Sequence, residues 1–222
     1  MRECILLMYK RFTTIRAMKS NSKVATISNR FNTKSRYKMS NILLVSATKL
    51  EHHDDELFGI PIHIIGIGKV EAALNTYKLI QKYKPDYVVN FGSCGNLGDS
   101  KVGQVLHIGE VHDDFYGCVV PHHEVIHLLP RARTAQYKLF TTDTFYENDK
   151  QYHEYYTRKI DECDVVDMEG YSIAKVCLSE NIPVSIYKWV SDSGDSTDWK
   201  TNAAIGYNNF KEVFKERLEQ WQ

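Results

Sequence analysis

Glu169 lies at the junction between a short apolar segment and a helical pattern. The apolar segment Val165–Asp167 predicts a buried strand. Apolar residues then recur at helical spacing: Ile173, Ala174, Cys177 and Leu178. In α/β sheets ligands bind at the carboxyl ends of strands. A carboxylate there can accept hydrogen bonds from two neighbouring hydroxyls, as a ribose would offer. A glutamate in the first turn of a helix is also favoured by the helix dipole, so both interpretations stay open for this stretch alone.

Other apolar segments alternate with helical patterns along the rest of the chain, which predicts an α/β fold. We predict strands over residues 41–47, 61–67, 87–91, 104–111, 136–142 and 183–190. We predict helices over 69–83 and 148–160 and a last helix near the end of the sequence. The first should have Val70, Ala73, Leu74, Tyr77 and Ile80 on its apolar face, and the last Phe210, Val213, Phe214 and Leu218. No run of 18 apolar residues occurs, so the sequence predicts no membrane-spanning segment.

Small or acidic residues follow several of these predicted strands. Glu51 comes shortly after Ser46 and Ala47, and Asp192 follows the last strand. Between them, residues 92–98 predict a loop of small residues whose backbone N–H groups can face a ligand, often an anion. This loop has neither Walker nor Gly-x-Gly-x-x-Gly spacing, so it is a weak motif by itself.

Charge divides the chain into two parts. Residues 1–38 carry ten Lys or Arg and one acid, whereas the remaining 184 residues carry 18 basic and 27 acidic side chains. We interpret residues 1–38 as a disordered extension and residues 39–222 as one catalytic domain. An organelle transit peptide, a nucleic-acid-binding arm and a translation start at Met39 are the alternatives.

Six short sequence strings, in the order in which they occur, resemble the nucleoside phosphorylase/nucleosidase superfamily. The resemblance is greatest to its 5′-methylthioadenosine/S-adenosylhomocysteine nucleosidases. The strings are Ser46-Ala47 with Glu51, Gly66-Ile67-Gly68-Lys69-Val70, Asn90-Phe91-Gly92-Ser93-Cys94-Gly95, Thr142-Asp143-Thr144-Phe145, Val166-Asp167-Met168-Glu169-Gly170 and Ser191-Asp192. The resemblance implies a single-domain α/β fold with a mixed central sheet flanked by helices. It also implies a nucleoside pocket at the strand ends.

The resemblance also implies a role for each matched residue. Glu51 would activate the attacking water, and Asp192, helped by Ser191, would protonate the purine at N7. Glu169 would hold the ribose hydroxyls. The remaining residues would line the substrate: Ser93, Gly95, Phe145 and Met168. The chemistry suits these types, because cleavage of an N-ribosidic bond needs one protonated and one ionised carboxyl.

The nucleophile could be water or phosphate. Phosphorylases of this superfamily hold phosphate with arginines, whose planar forks suit its oxygens. Asn90 stands where the strand of such enzymes supplies an Arg, and residues 41–104 contain no Arg. We therefore favour a hydrolase. A purine nucleoside phosphorylase, a non-catalytic nucleoside-binding protein and a nucleic-acid-binding protein remain the alternatives.

The sequence predicts no cofactor and no metal, although five histidines fall within residues 107–127. Five cysteines without Cys-x-x-Cys spacing favour a reducing compartment, and we expect a cytoplasmic protein. The expected partners are a small nucleoside and further copies of the chain, in a homodimer or larger homo-oligomer. We expect neither nucleic acid nor membrane as a partner.

Overall fold

The computed structural model describes residues 25–26, 41–113, 125–128, 136–147 and 160–221. The strands are β1 (Ala25–Thr26), β2 (Ile42–Ser46), β3 (Glu56–Leu57), β4 (Ile60–Ile64), β5 (Tyr87–Asn96), β6 (Val105–Asp113), β7 (Val125–His127), β8 (Tyr137–Thr141), β9 (Val165–Asp167) and β10 (Val184–Asp192). The α-helices are α1 (Lys69–Tyr83), α2 (Gly170–Ser179), α3 (Ser196–Asn202) and α4 (Tyr207–Trp221). Two 3₁₀ turns span Lys49–Glu51 and Ile160–Glu162.

One mixed sheet joins the ten strands, and five of them close into a ring. In that ring β5 pairs with β10, β10 with β6, β6 with β8, β8 with β9, and β9 with β5. Outside the ring, β2 runs parallel to β5, and β4 continues this edge. The parallel strands β2, β5 and β10 therefore end at one edge of the sheet. This confirms the predicted mixed sheet flanked by helices.

Helices cover both faces of β5, which explains why its first five residues are all apolar or buried. Val88 faces a core shared with α1 and α2, which contribute Ala72, Ile80, Ile173 and Cys177 among others. Phe91 faces the other core, where its ring lies 4.7 Å from that of Phe210 on α4. Such stacked pairs add about 0.5–1.5 kcal/mol beyond the area they bury.

Helix α1 has the predicted bounds but turns a different face to the core. Its buried residues are Ala72, Thr76 and Ile80. Val70, Leu74 and Tyr77, which the spacing placed on the helix's apolar face, are 75%, 46% and 46% exposed. The small side chains of Ala72 and Thr76 let α1 pack closely against the sheet and α2. Of the larger apolar residues on the predicted face, Ile80 is buried, whereas Val70, Leu74 and Tyr77 point outward.

The stretch predicted as a glycine-rich loop is a strand for most of its length. β5 continues to Asn96, because β10 pairs with residues 92–95 and β9 pairs with residues 95–96. Ser191 and Asp192, predicted to follow the last strand, are likewise its final residues. Ser93, Gly95 and Asp192 are therefore held by pairing between β5 and β10 rather than in loops.

Parts of the predicted organisation lie outside the described residues. Of the basic extension, Ala25–Thr26 is described, as a two-residue strand beside β7. The disorder predicted for residues 1–38 stays a prediction. Residues 148–159, which carry most of a predicted helix, are outside the described part as well. Within the described residues, no helix combines the length and apolarity needed to cross a bilayer.

Candidate active site

A cavity of about 180 Å³ opens at the edge where β2, β5, β9 and β10 end. Seven of the eight residues implicated by sequence line it: Glu51, Ser93, Gly95, Phe145, Met168, Glu169 and Asp192. The eighth, Ser191, lies behind Asp192 and hydrogen-bonds to it. The structure therefore brings residues from five separate segments into one pocket, although they are up to 141 positions apart in the chain.

Glu51 enters the cavity from the short 3₁₀ turn after β2 and is 3% exposed. Its Oε1 accepts the Ser93 backbone N–H at 2.7 Å and the Ser93 hydroxyl at 2.8 Å. Its Oε2 accepts the Ser46 hydroxyl at 2.7 Å and the Ala47 N–H at 3.2 Å. Four donors compensate for the lost hydration of this carboxylate, as a buried charge requires.

Gly92 explains how Glu51 can approach β5 so closely. A Cβ atom at position 92 would lie 2.6 Å from Oε1 of Glu51 and 2.9 Å from its Cδ. Any side chain there would thus collide with the carboxylate. Gly92 is required by this contact rather than by a positive φ, since it lies in regular strand conformation.

Glu169 lines the cavity at the start of α2. Its Oε1 accepts the N–H of Gly68 at 2.9 Å, at the N-terminus of α1, and the side chain is buried. Gly68 adopts φ +90°, which glycine tolerates and which aims its N–H at the carboxyl group. Burial raises the pKa of Glu169 above its usual value, Lys188 opposes the shift, and the charges of Asp167 and Glu51 add to it.

A buried ion pair lies beneath these carboxyl groups. Lys188 Nζ is 2.9 Å from Oδ2 of Asp167, and both side chains are 1% exposed. The remaining oxygen of Asp167 accepts the Thr141 hydroxyl at 2.7 Å, and Oδ2 also accepts the N–H of Gly170 at 2.8 Å. Burial alone would lower the pKa of Lys188, but the charges of Asp167, Glu169 and Glu51 raise it. The lysine therefore stays charged among three acids.

Asp192 faces the cavity from the end of β10. Its Oδ1 accepts the N–H of Gly194 at 2.9 Å, and its Oδ2 lies 2.7 Å from the hydroxyl oxygen of Ser191. The same Ser191 hydroxyl lies 3.1 Å from the carbonyl oxygen of Cys94. The Ser191 hydroxyl therefore has two acceptors for its one proton, the carboxyl group of Asp192 and the carbonyl group of Cys94.

Cys94 lines the cavity but is unsuited to act as a nucleophile. It is buried, and burial raises the pKa of its thiol well above the usual range. Reactive cysteines instead have a lowered pKa in an electropositive, accessible setting. The hypothesis of a buried small residue therefore accounts for Cys94 better than that of a catalytic thiol.

Sequence reasoning missed two contributors to the site. Trp199, on α3, lines the cavity and donates its indole N–H to the Ser93 hydroxyl at 3.0 Å. Its ring lies 6.2 Å from that of Phe145 in an edge contact. Asp167 belonged to a predicted strand and to one of the six matched strings, but it was given no role in the site. For α3, the available signal was Asp195, which caps the helix by accepting the N–H groups of Thr197 and Asp198.

Replacing Gly92 with Ala should destabilise the fold by about 1–3 kcal/mol, because the new methyl group overpacks the Glu51 carboxylate. Gly98→Ala is the matched control, since its Cβ would lie 3.8 Å from the nearest atom. It should change stability by less than about 0.5 kcal/mol. In a Glu51→Ala background most of the Gly92→Ala cost should disappear. Equal costs in both backgrounds, measured by urea unfolding, would contradict the contact.

Glu169→Gln should stabilise the protein at pH 9 relative to wild type. The raised pKa means that the folded state favours the protonated carboxyl, so stability is complete below the ordinary glutamate pKa and is lost as pH rises through the folded-state value. Gln keeps an acceptor for Gly68 and never ionises. We expect the free energy of unfolding of Glu169→Gln to exceed that of wild type by at least about 1 kcal/mol at pH 9, which corresponds to a pKa difference of about one unit. At pH 4 the two proteins should differ little.

Thermal unfolding across this pH range measures the difference. Glu219→Gln, an exposed change on α4, is the control and should follow wild type at each pH. A Glu169→Gln advantage that is the same at pH 4 and pH 9 would rule out ionisation as its cause.

The sequence profile of the phosphorylase superfamily matches residues 59–220. A 5′-methylthioadenosine/S-adenosylhomocysteine nucleosidase of an Exiguobacterium species is 33% identical over 172 residues, which are 67% of this chain and 71% of that protein. Among solved structures, the nucleosidase of the same name from Colwellia psychrerythraea in complex with adenine superposes with a TM-score of 0.65. It has 20% identity and the match covers 79% of this chain and 94% of that one.

The futalosine hydrolase of Helicobacter pylori is also similar in fold, with a TM-score of 0.68 and 16% identity over 81% of this chain and 97% of that one. At these identities the solved structures establish the fold, whereas the sequence profile and the Exiguobacterium relative establish the family. The chain belongs to the phosphorylase superfamily, and it is similar in sequence to 5′-methylthioadenosine/S-adenosylhomocysteine nucleosidases.

Proposed function

We propose that this protein is a purine nucleosidase that hydrolyses the N-ribosidic bond of 5′-methylthioadenosine/S-adenosylhomocysteine-type nucleosides. The observation that carries the proposal is the set of hydrogen bonds that holds the Glu51 side chain. Its carboxylate takes four donors at the end of a cavity that also holds Asp192 and Glu169. The names of the relatives supply the substrate class.

The Glu51 contacts favour water over phosphate as the nucleophile. A bound phosphate needs N–H and O–H donors and is usually held by arginine. Here the available donors, from Ser46, Ala47 and Ser93, already serve the protein's own carboxylate. A phosphate would have to displace Glu51 or lie beside its negative charge. The described residues that line the cavity include no arginine, and Lys188 is paired with Asp167.

Asp192 is the proposed general acid and Glu51 the proposed base. The Ser191 hydroxyl has the Cys94 carbonyl as a second acceptor, so it can donate there while Asp192 holds a proton for the purine N7. Once that proton has passed to N7, the Ser191 hydroxyl can donate to the carboxylate that remains. Glu51 stays ionised because four donors stabilise its charge. Two carboxyls in opposite states are what the cleavage of an N-ribosidic bond requires.

The other cavity residues hold the substrate in this proposal. Glu169 uses one oxygen for Gly68, which leaves the second for the ribose hydroxyls. Met168 packs against the sugar, and Phe145 stacks on the base. Gly95 leaves room beside the acid, since a Cβ there would lie 3.5 Å from Oδ1 of Asp192. The part that meets the 5′ substituent is expected within residues 112–135, of which 114–124 and 129–135 lie outside the described residues.

Release of free adenine from 5′-methylthioadenosine in phosphate-free buffer tests the function. We expect turnover by wild type and a loss of about 10²- to 10⁴-fold in kcat for both Asp192→Asn and Glu51→Gln, the range for one general acid–base group. Asp99→Asn, at an exposed residue that does not line the cavity, is the control and should keep the wild-type kcat. Thermal stabilisation by the nucleoside without turnover would favour a non-catalytic binding protein instead.

We also propose that the protein forms a homodimer or larger homo-oligomer through α1. Val70, Leu74 and Tyr77 recur at i, i+4 and i+7 and are 75%, 46% and 46% exposed, so they form an apolar strip along the helix. Ile67, two residues before the helix, is 47% exposed and lines the cavity. An exposed apolar strip next to a pocket is typical of an interface, and a second copy would both cover it and border the site.

Light scattering after size-exclusion chromatography tests the assembly. Wild type should elute as a dimer or larger species, and Leu74→Lys should shift it towards monomer. Val102→Lys, at another exposed apolar residue, should not. A monomeric wild type at micromolar concentrations would contradict the proposal. We also propose a cytoplasmic location, which the buried thiols of Cys94 and Cys177 support.

A further inference from the structure

The Ser93 hydroxyl has two partners in the cavity whose hydrogen-bonding roles differ. Trp199 Nε1 lies 3.0 Å from Ser93 Oγ, and an indole N–H can only donate. Glu51 Oε1 lies 2.8 Å from the same oxygen and, when ionised, can only accept. The Ser93 hydroxyl must therefore accept from Trp199 and give its single proton to Glu51. The three groups form a hydrogen-bonded chain with one direction, and one lone pair of Ser93 Oγ remains.

Glu51 itself has no vacant acceptor site. A carboxylate offers about four lone-pair sites, and four donors within 3.2 Å occupy them. An attacking water would have to displace a donor to reach the carboxylate directly. Two of the four donors are hydroxyls that can pass on a proton, those of Ser46 and Ser93. Ser93 lines the cavity, whereas Ser46 is fully buried and does not.

We propose that Trp199 is a positioning residue for the attack of water, holding the Ser93 hydroxyl so that the water's proton reaches Glu51 through Ser93 Oγ. This inference rests on the proposed nucleosidase function. In this step an O–H bond of water breaks and a new one forms at Ser93 Oγ. At the same time the original Ser93 O–H bond breaks and a proton joins Glu51 Oε1. The water oxygen bonds to C1′ as the bond to the purine breaks.

The setting of α3 is suited to this role. Five of its seven residues are exposed, and the two half-buried ones both contact the site. Trp199 reaches Ser93, and Asn202 donates its amide to the Ser191 carbonyl at 3.1 Å. The helix begins four residues after Asp192. Helix α3 therefore contacts both parts of the proposed machinery. Asn202 contacts the strand that carries Asp192, and Trp199 begins the hydrogen-bonded chain through Ser93 to Glu51.

Single-turnover kinetics of Trp199→Phe test the inference. Phe keeps the ring beside Phe145 but lacks the N–H group. We expect the rate of base release to fall about tenfold, the equivalent of one hydrogen bond, with substrate affinity within about twofold of wild type. Trp221→Phe, at the end of α4 against Tyr87, is the matched control and should keep the wild-type rate. A wild-type rate for Trp199→Phe would overturn the positioning role.

Rates in mixtures of light and heavy water distinguish a relay from a merely structural contact. Two protons move together in the proposed step, so the wild-type rate should depend on the deuterium fraction along a curve. Ser93→Ala, in which water must meet Glu51 directly, should give a straight line. A straight line for wild type would overturn the relay.

The hydrogen bond itself can be measured without turnover. In ¹H–¹⁵N spectra the indole signal missing from Trp199→Phe identifies Trp199, and this signal should shift in Ser93→Ala while that of Trp221 stays in place. An unshifted signal would overturn the inference. A shifted signal in a protein that releases base from no nucleoside would instead overturn the proposed function and leave the Trp199–Ser93 contact standing.

Discussion

The carboxylate of Glu51 is the interaction on which the site depends. It bridges the end of β2 and the middle of β5 through hydrogen bonds to Ser46, Ala47 and Ser93. A buried charge is tolerated only when its hydration is replaced in this way. The glycine at position 92 follows from the same contact, because no side chain fits between β5 and the carboxylate. A protein carboxylate thus fills the place where these strands could otherwise bind an external anion.

A second constraint is the balance of charge below the pocket. Asp167, Glu169 and Glu51 are buried close to a single buried lysine, Lys188. The lysine pairs with Asp167, and that aspartate is held by Thr141 and the start of α2. Lysine concentrates its charge on one nitrogen, which here lies 2.9 Å from a single carboxylate oxygen of Asp167. The Lys188–Asp167 pair therefore acts as one fixed charge site that orients the turn carrying Glu169.

The elements that could be predicted from sequence were those with strong local patterns. Helix α1 and the Val165–Gly170 junction between strand and helix carry period-specific signals, and the structure has both at the predicted places. The strand character of residues 92–96 could not be predicted, because it depends on pairing with β9 and β10. The buried face of α1 was mispredicted because Ala72 and Thr76 pack there in place of larger apolar residues. Trp199 was missed because its partner, Ser93, is 106 positions away.

The identity of the nucleophile tests the role of Glu51 most directly. The measurement is a turnover of 5′-methylthioadenosine in ¹⁸O-labelled water with saturating inorganic phosphate, followed by mass spectrometry of the sugar product. If the Glu51 carboxylate occupies the anion position and activates water, the sugar carries one ¹⁸O at C1 and no sugar 1-phosphate forms. A sugar 1-phosphate without the label would show that phosphate enters the site despite Glu51, and would contradict this account.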